Sequence, residues 1–138
     1  MKNYEIIEHT ADIGIRVKAK DLGGLFKNSG LAIFQISAEK LFVKNKEQHK
    51  IIVAQKATGV EELLINWLNE LLSLSAVEGL IFEGIQVNKI DENTIEAVAL
   101  GSDIKNYKVN TEIKAATYHA LKVEKTIAGW QAEVIFDV

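Results

Sequence analysis

Cysteine and proline are both absent from the 138 residues, there is one methionine, and aromatic residues make up only 7%. Without cysteine there is no disulfide framework, no thiolate zinc site and no thiol catalysis; the chain fits a reducing compartment, and any metal must be held by oxygen or imidazole. Without proline, turns fall to glycine and asparagine, and no Pro-rich linker divides the chain. No apolar run approaches the roughly 20 residues needed to cross a bilayer, and MKNYEIIEHT has no segment apolar enough for a signal peptide. A cytoplasmic location without membrane attachment is therefore expected. Positive charge is not in excess: 16 Lys and Arg face 19 Asp and Glu, a net charge of −3. Such a chain has no overall field to gather phosphates, so strong direct nucleic-acid binding is not expected. Also missing are a phosphate-cradling Gly-rich loop followed by Lys and Ser/Thr, a G-x-S-x-G elbow and an H-E-x-x-H zinc helix.

What is present is the balance of a globular protein, 48% hydrophobic and 25% charged, of a length that suits one domain over residues 1–138. Residues 4–7 read as a strand and 8–12 as a bend. Ile13, Ile15 and Val17 then share one face of a second strand. Asp21 can cap a helix whose one side carries Leu22, Leu25, Phe26, Ser29 and Ile33, although Gly23, Gly24 and Gly30 weaken its propensity. Residues 41–44 and 49–54 read as two short strands flanking a polar turn. The capping-box pair Thr58 and Glu61 opens the clearest helix, with a stripe of Leu64, Trp67, Leu68, Leu71 and Leu72, and Gly79 helps to end it. Two alternating strands follow, joined through Asp91, Glu92 and Asn93, then a polar stretch over 101–111 suited to a functional loop or a short surface helix. The chain finishes with two strands joined through Ile127, Ala128 and Gly129. In the last of them Trp130, Ala132, Val134 and Phe136 share a face, with Gln131, Glu133, Ile135 and Asp137 opposite. This order predicts an α+β fold: a mixed, largely antiparallel sheet with two main helices packed on one face.

Chemistry-bearing residues gather at three places. His9 and Asp12 stand at the mouth of an apolar strand with the Thr10 hydroxyl between them. A capping and turn role is the commoner account of such a triplet, which by itself is a weak ligand signal. Asp137 closes the final apolar strand, where a carboxylate is costly to bury without a cation or a set of donors. If the mature chain ends at Val138, its α-carboxylate adds a second anion, and a solvated end is the plain alternative. Should the first and last strands lie side by side, Asp12, Asp137 and Val138 would form an oxygen-rich cluster suited to calcium or magnesium. In KAATYHAL, residues 114–121, Lys114, Thr117 and His119 could support proton transfer, though a satisfied structural histidine is the commoner case. His49 sits in the polar run KNKEQHK and reads as a surface residue.

Four blocks in order, EHTADIGI (8–15), LLINWLNELL (63–72), KAATYHAL (114–121) and VIFDV (134–138), span almost the whole chain and together resemble the archease family. That resemblance implies a small α+β accessory protein of the GTP-dependent tRNA-splicing RNA ligase. This enzyme joins a 2′,3′-cyclic-phosphate or 3′-phosphate end to a 5′-hydroxyl. The accessory protein is not itself an enzyme; it promotes guanylylation and multiple turnover of the ligase and can broaden its choice of nucleotide. The resemblance further implies a divalent-metal site, calcium first with magnesium or manganese as substitutes, at Asp12, Asp137 and Val138. Lys114, Thr117 and His119 match family positions and become groups that shape the site or contact the ligase, and His9 and Thr10 join them. The Gly23–Gly24 pair departs from the family's usual helix formers. Two rival functions stay open: a chaperone or modulator of nucleic-acid enzymes that shields clients without metal, and a metal-dependent hydrolase using Asp12 and Asp137 with His9 or His119 as base.

Overall fold

The computed structural model describes residues 2–9, 12–44 and 46–138. Strand β1 (Tyr4–His9) pairs antiparallel with β2 (Asp12–Ala19), so Glu8, His9 and Asp12, read from sequence as bend, belong to strands. Asp21 caps α1 (Leu22–Ser37), its carboxylate accepting from Gly24 N–H at 2.7 Å. Leu25, Phe26, Ser29 and Ile33 are buried as the stripe predicts. Gly30 has a packing reason: a Cβ there would come within 2.8 Å of both Leu71 and Ile85.

From α1 the chain passes straight into β3 (Ala38–Lys40), and β4 (His49–Lys56) follows. The strand expected over 41–44 does not form. The ladder falls earlier, on Ala38–Lys40, which pairs with the distant β7 (Tyr107–Val109) instead of with β4. Next, α2 (Val60–Glu78) starts from Gly59 without a side-chain cap, and Thr58 donates to Glu62 at 3.2 Å. The expected capping box therefore fails because the helix begins one residue later than its spacing requires. Gly79, in the left-handed conformation, ends α2. β5 (Leu80–Ile90) and β6 (Thr94–Asp103) form the expected hairpin, with the Asp91 carboxylate accepting from Asn93 and Thr94 N–H at 2.8 Å. The stretch over 101–111 is partly strand: it holds the end of β6, a 3₁₀ turn (Ile104–Asn106) and β7. β8 (Ala115–Thr126) and β9 (Gly129–Asp137) complete the chain.

Among the described residues these strands make three sheets, ordered β1-β2-β9-β8, β4-β6-β5 and β3-β7, and the pairings are antiparallel, in keeping with the expected largely antiparallel α+β arrangement. Alternation gives each larger sheet one apolar face. In the first, Ile15, Val17, Ala132, Val134 and Phe136 are buried; in the second, Val53, Ile85, Ile95, Ala97 and Ala99. Both faces meet the helices, α1 resting on β2 and β5 and α2 on β8 and β4, so one cluster forms the core. Trp67 joins the helices, its ring N–H donating to the Phe26 carbonyl at 2.9 Å. Among the described residues no helix is long and apolar enough to cross a membrane.

Candidate functional site

The register of the four-stranded sheet brings the first and last sequence blocks together. His9 is opposite Asp12 in the β1–β2 ladder, and Ala115 is opposite Asp137 in the β8–β9 ladder. The β2–β9 ladder ends at Ile13 and Phe136; one step further stand Asp12 and Asp137. One row across this end of the sheet thus reads His9, Asp12, Asp137, Ala115. Since Ile15, Val134 and Phe136 point into the core, the period of two puts Asp12 and Asp137 together on the outer face. Directly opposed positions in antiparallel strands lie about 5 Å apart at Cβ, within reach of one small ion.

Of the other sequence-predicted residues, Thr10 lies outside the described residues, and for His9 only the strand position is described. Val138 follows Asp137 and is exposed. Lys114 enters the row through its backbone, donating to the Asp137 carbonyl at 2.9 Å, with its side chain in solvent. Thr117 Oγ1 donates to the Ile135 carbonyl at 2.8 Å and accepts from His119 N–H at 3.3 Å. His119 itself is exposed. It stands on a bulge, because β8 advances five residues from Thr117 to Lys122 while β9 advances two, from Ile135 to Glu133. Within the bulge Ala120 takes a positive φ of 50°. His49 is exposed near Glu47, well away in sequence and strand order from the row. Among the described residues, no three His, Asp or Glu side chains group in a way that could hold a metal. Beside the two aspartates, Val138, main-chain oxygens and water could complete the shell of a hard cation at this end.

Sequence reasoning missed two arrangements. Asn69, on α2, pairs with both main-chain groups of Ala116; its signal is an amide of modest helix propensity amid an apolar stripe. The second is centred on Glu83, the extra residue where the β5 register shifts between Phe82 and Gly84. There the carboxylate accepts from Lys46 Nζ at 2.6 Å and from the Tyr107 hydroxyl, with Lys40 Nζ at 3.5 Å. Burial opposes ionisation of Glu83, but the Lys46 and Tyr107 hydrogen bonds and the two ammonium charges outweigh it and hold the carboxyl below its usual range. Tyr107 is pushed up, by burial first and then by its bond to Glu83, and so stays a neutral donor.

Against this geometry stand the similarities to other proteins. The Archease protein family matches residues 4–138. The chain belongs to that family. Protein archease of Methanosarcina barkeri is 36% identical, the alignment covering 99% of this chain and 97% of that one. Protein archease of Pyrococcus abyssi is also 36% identical, with full coverage of both chains. Among solved structures, the solution structure of Methanobacterium thermoautotrophicum protein 1598 superposes with a TM-score of 0.78 at 28% identity over all of both chains. The crystal structure of a Thermotoga maritima archease, described as a possible chaperone, gives 0.66 at 25% identity, covering 96% of this chain and 94% of that one. The archease fold therefore agrees with the α+β arrangement of antiparallel sheets and two helices found here.

Proposed function

We propose that this archease is a non-enzymatic accessory protein that activates the GTP-dependent tRNA-splicing RNA ligase, promoting its guanylylation and multiple turnover and widening its nucleotide choice. The observation that carries this reading is the row at the end of the four-stranded sheet, where Asp12 and Asp137 share the outer face. Two carboxylates side by side repel each other unless a cation or a basic partner meets them. All-oxygen donors suit a hard ion, so calcium, or magnesium or manganese in its place, would be held by Asp12 and Asp137, with Val138 where that residue ends the protein. When bound, such an ion supplies a positive pole able to meet phosphate oxygens. The chain's own part is to present that pole at the end of the four-stranded sheet and to prefer one conformation of the ligase, through differential affinity for its guanylylation-competent state.

Reconstitution with the cognate ligase, with and without chelator, tests this. Wild-type protein is expected to raise guanylylation and turnover, and Asp137→Asn or Asp12→Asn to lower calcium affinity and stimulation at least about tenfold, the loss of one charged contact, with the fold retained by circular dichroism. Full stimulation by well-folded variants at saturation would refute a role for the acidic row. A second reading, a chaperone, draws on the exposed apolar run Leu41, Phe42 and Val43, in which Phe42 is 97% exposed. Chelator-insensitive suppression of aggregation of unrelated proteins, without effect on the ligase, would favour it.

A further inference from the structure

In the order β1-β2-β9-β8 the last strand is an edge, and an edge strand turns alternate N–H and C=O groups toward whatever lies beside the sheet. At Ala116 one side chain takes both. Asn69 Oδ1 accepts from Ala116 N–H at 2.7 Å, and Asn69 Nδ2 donates to the Ala116 carbonyl at 3.2 Å. A carboxamide offers an acceptor and a donor much as a peptide group does, so Asn69 acts as a one-residue substitute for the missing neighbour strand. Toward β9, the Thr117 hydroxyl fixes the next residue to Ile135. Immediately afterwards comes the bulge, with Ala120 at φ 50°. A ladder that carries extra residues holds its register only where something pins it. A slip of one residue would remove Ala115 from its place opposite Asp137 and turn Thr117 from the outer face toward the core.

We propose that Asn69 is a positioning residue for the acidic row: by holding Ala116 it sets the register of β8 against β9, and hence the spacing of Thr117 and the start of β8 about Asp137. The inference deepens the function proposed above and rests on it for the ligand side. The test uses the full chain carrying Asn69→Leu, which removes both bonds, and Asn69→Asp, which keeps an acceptor for the Ala116 N–H and loses the donor. Amide exchange, calcium titration and ligase stimulation are measured together. Asn69→Leu is expected to speed exchange at Ala116 by about tenfold or more, the effect of one lost hydrogen bond, while Ala97 and Ala99 in β6 keep wild-type protection. It should weaken calcium binding and raise the concentration needed for half-maximal stimulation, with the plateau unchanged, and Asn69→Asp should fall between it and wild type. Unchanged exchange at Ala116, or faster exchange with calcium binding and stimulation intact, would overturn the proposal. If Asn69→Leu also loosens β6, Asn69→Asp decides by the same comparisons. A wild-type chain that neither binds calcium nor stimulates the ligase would overturn the functional reading and this use of the register with it. Wild-type activity left untouched by both variants would overturn the proposal alone.

Discussion

Glu83 concentrates more electrostatics than any other residue described above, and its chemistry fixes a pH dependence. Its side chain is 15% exposed and that of Lys46 19%, so water screens the pair only partly, and truncating one partner leaves the other poorly solvated. Replacing Glu83 by Gln keeps an acceptor for Tyr107 but removes the charge facing Lys46 and Lys40. The expected loss is about 1–2 kcal/mol at pH 7, read from the denaturant midpoint. The sign over pH follows from a carboxyl pKa lowered from its ordinary 4.5. The native state then binds the proton more weakly than the unfolded chain, so the Glu83 contribution is whole above about pH 4.5 and disappears as pH falls through the folded value. Wild type and Glu83→Gln should converge in stability as pH falls below 4.5 and through the folded value. Parallel curves across that range would show that the ion pairs contribute nothing. Tyr107, with its pKa raised, adds no opposing change until pH rises past 10.0, the ordinary value of the phenol.

At the scale of elements, the β8–β9 hairpin depends on a single backbone position. Gly129 has φ 137°, and a Cβ there would stand 2.2 Å from the Ala19 carbonyl oxygen, a clash with main chain that no rotamer relieves. Gly129→Ala should therefore cost about 2–4 kcal/mol. Gly59→Ala, where nothing lies within 4 Å of the added atom, should cost less than about 1 kcal/mol. Comparable melting temperatures for the two variants would contradict this. The hairpin turn was legible because Ile127, Ala128 and Gly129 interrupt two alternating runs. The row of acids was legible only in part: the alternation of the last strand sets Asp137 opposite the apolar face, but Asp12 read as bend, and only the β2–β9 register places the two side by side. Residues 41–44 misled because Leu41, Phe42 and Val43 look like a strand locally, whereas strands exist by pairing, and β7 had already found its partner in Ala38–Lys40. Thr58 misled because a capping box is a spacing, and spacing does not say where the first turn begins. Asn69 and Glu83 were hidden for a third reason: their partners, Ala116, Lys46 and Tyr107, are far away in sequence and only the packed fold supplies them.

For the molecule as a whole, the two helices are tied to each other as well as to the sheets. Trp67 is fully buried and bonded to the Phe26 carbonyl, with the two rings 6.4 Å apart. Trp67→Phe removes that bond and leaves a void, and should lower global stability by about 1–3 kcal/mol. Half-buried Trp130 remains as the fluorescent reporter, and an unshifted unfolding curve would deny Trp67 this role. The pairing of β2 with β9 carries a separate implication. Residues 12–19 cannot complete their ladder until residues 129–137 have been synthesised, more than a hundred residues later in the sequence. Contacts of such long sequence separation also slow folding. The acidic row is consequently a product of long-range pairing: it exists only once β2 and β9 have met.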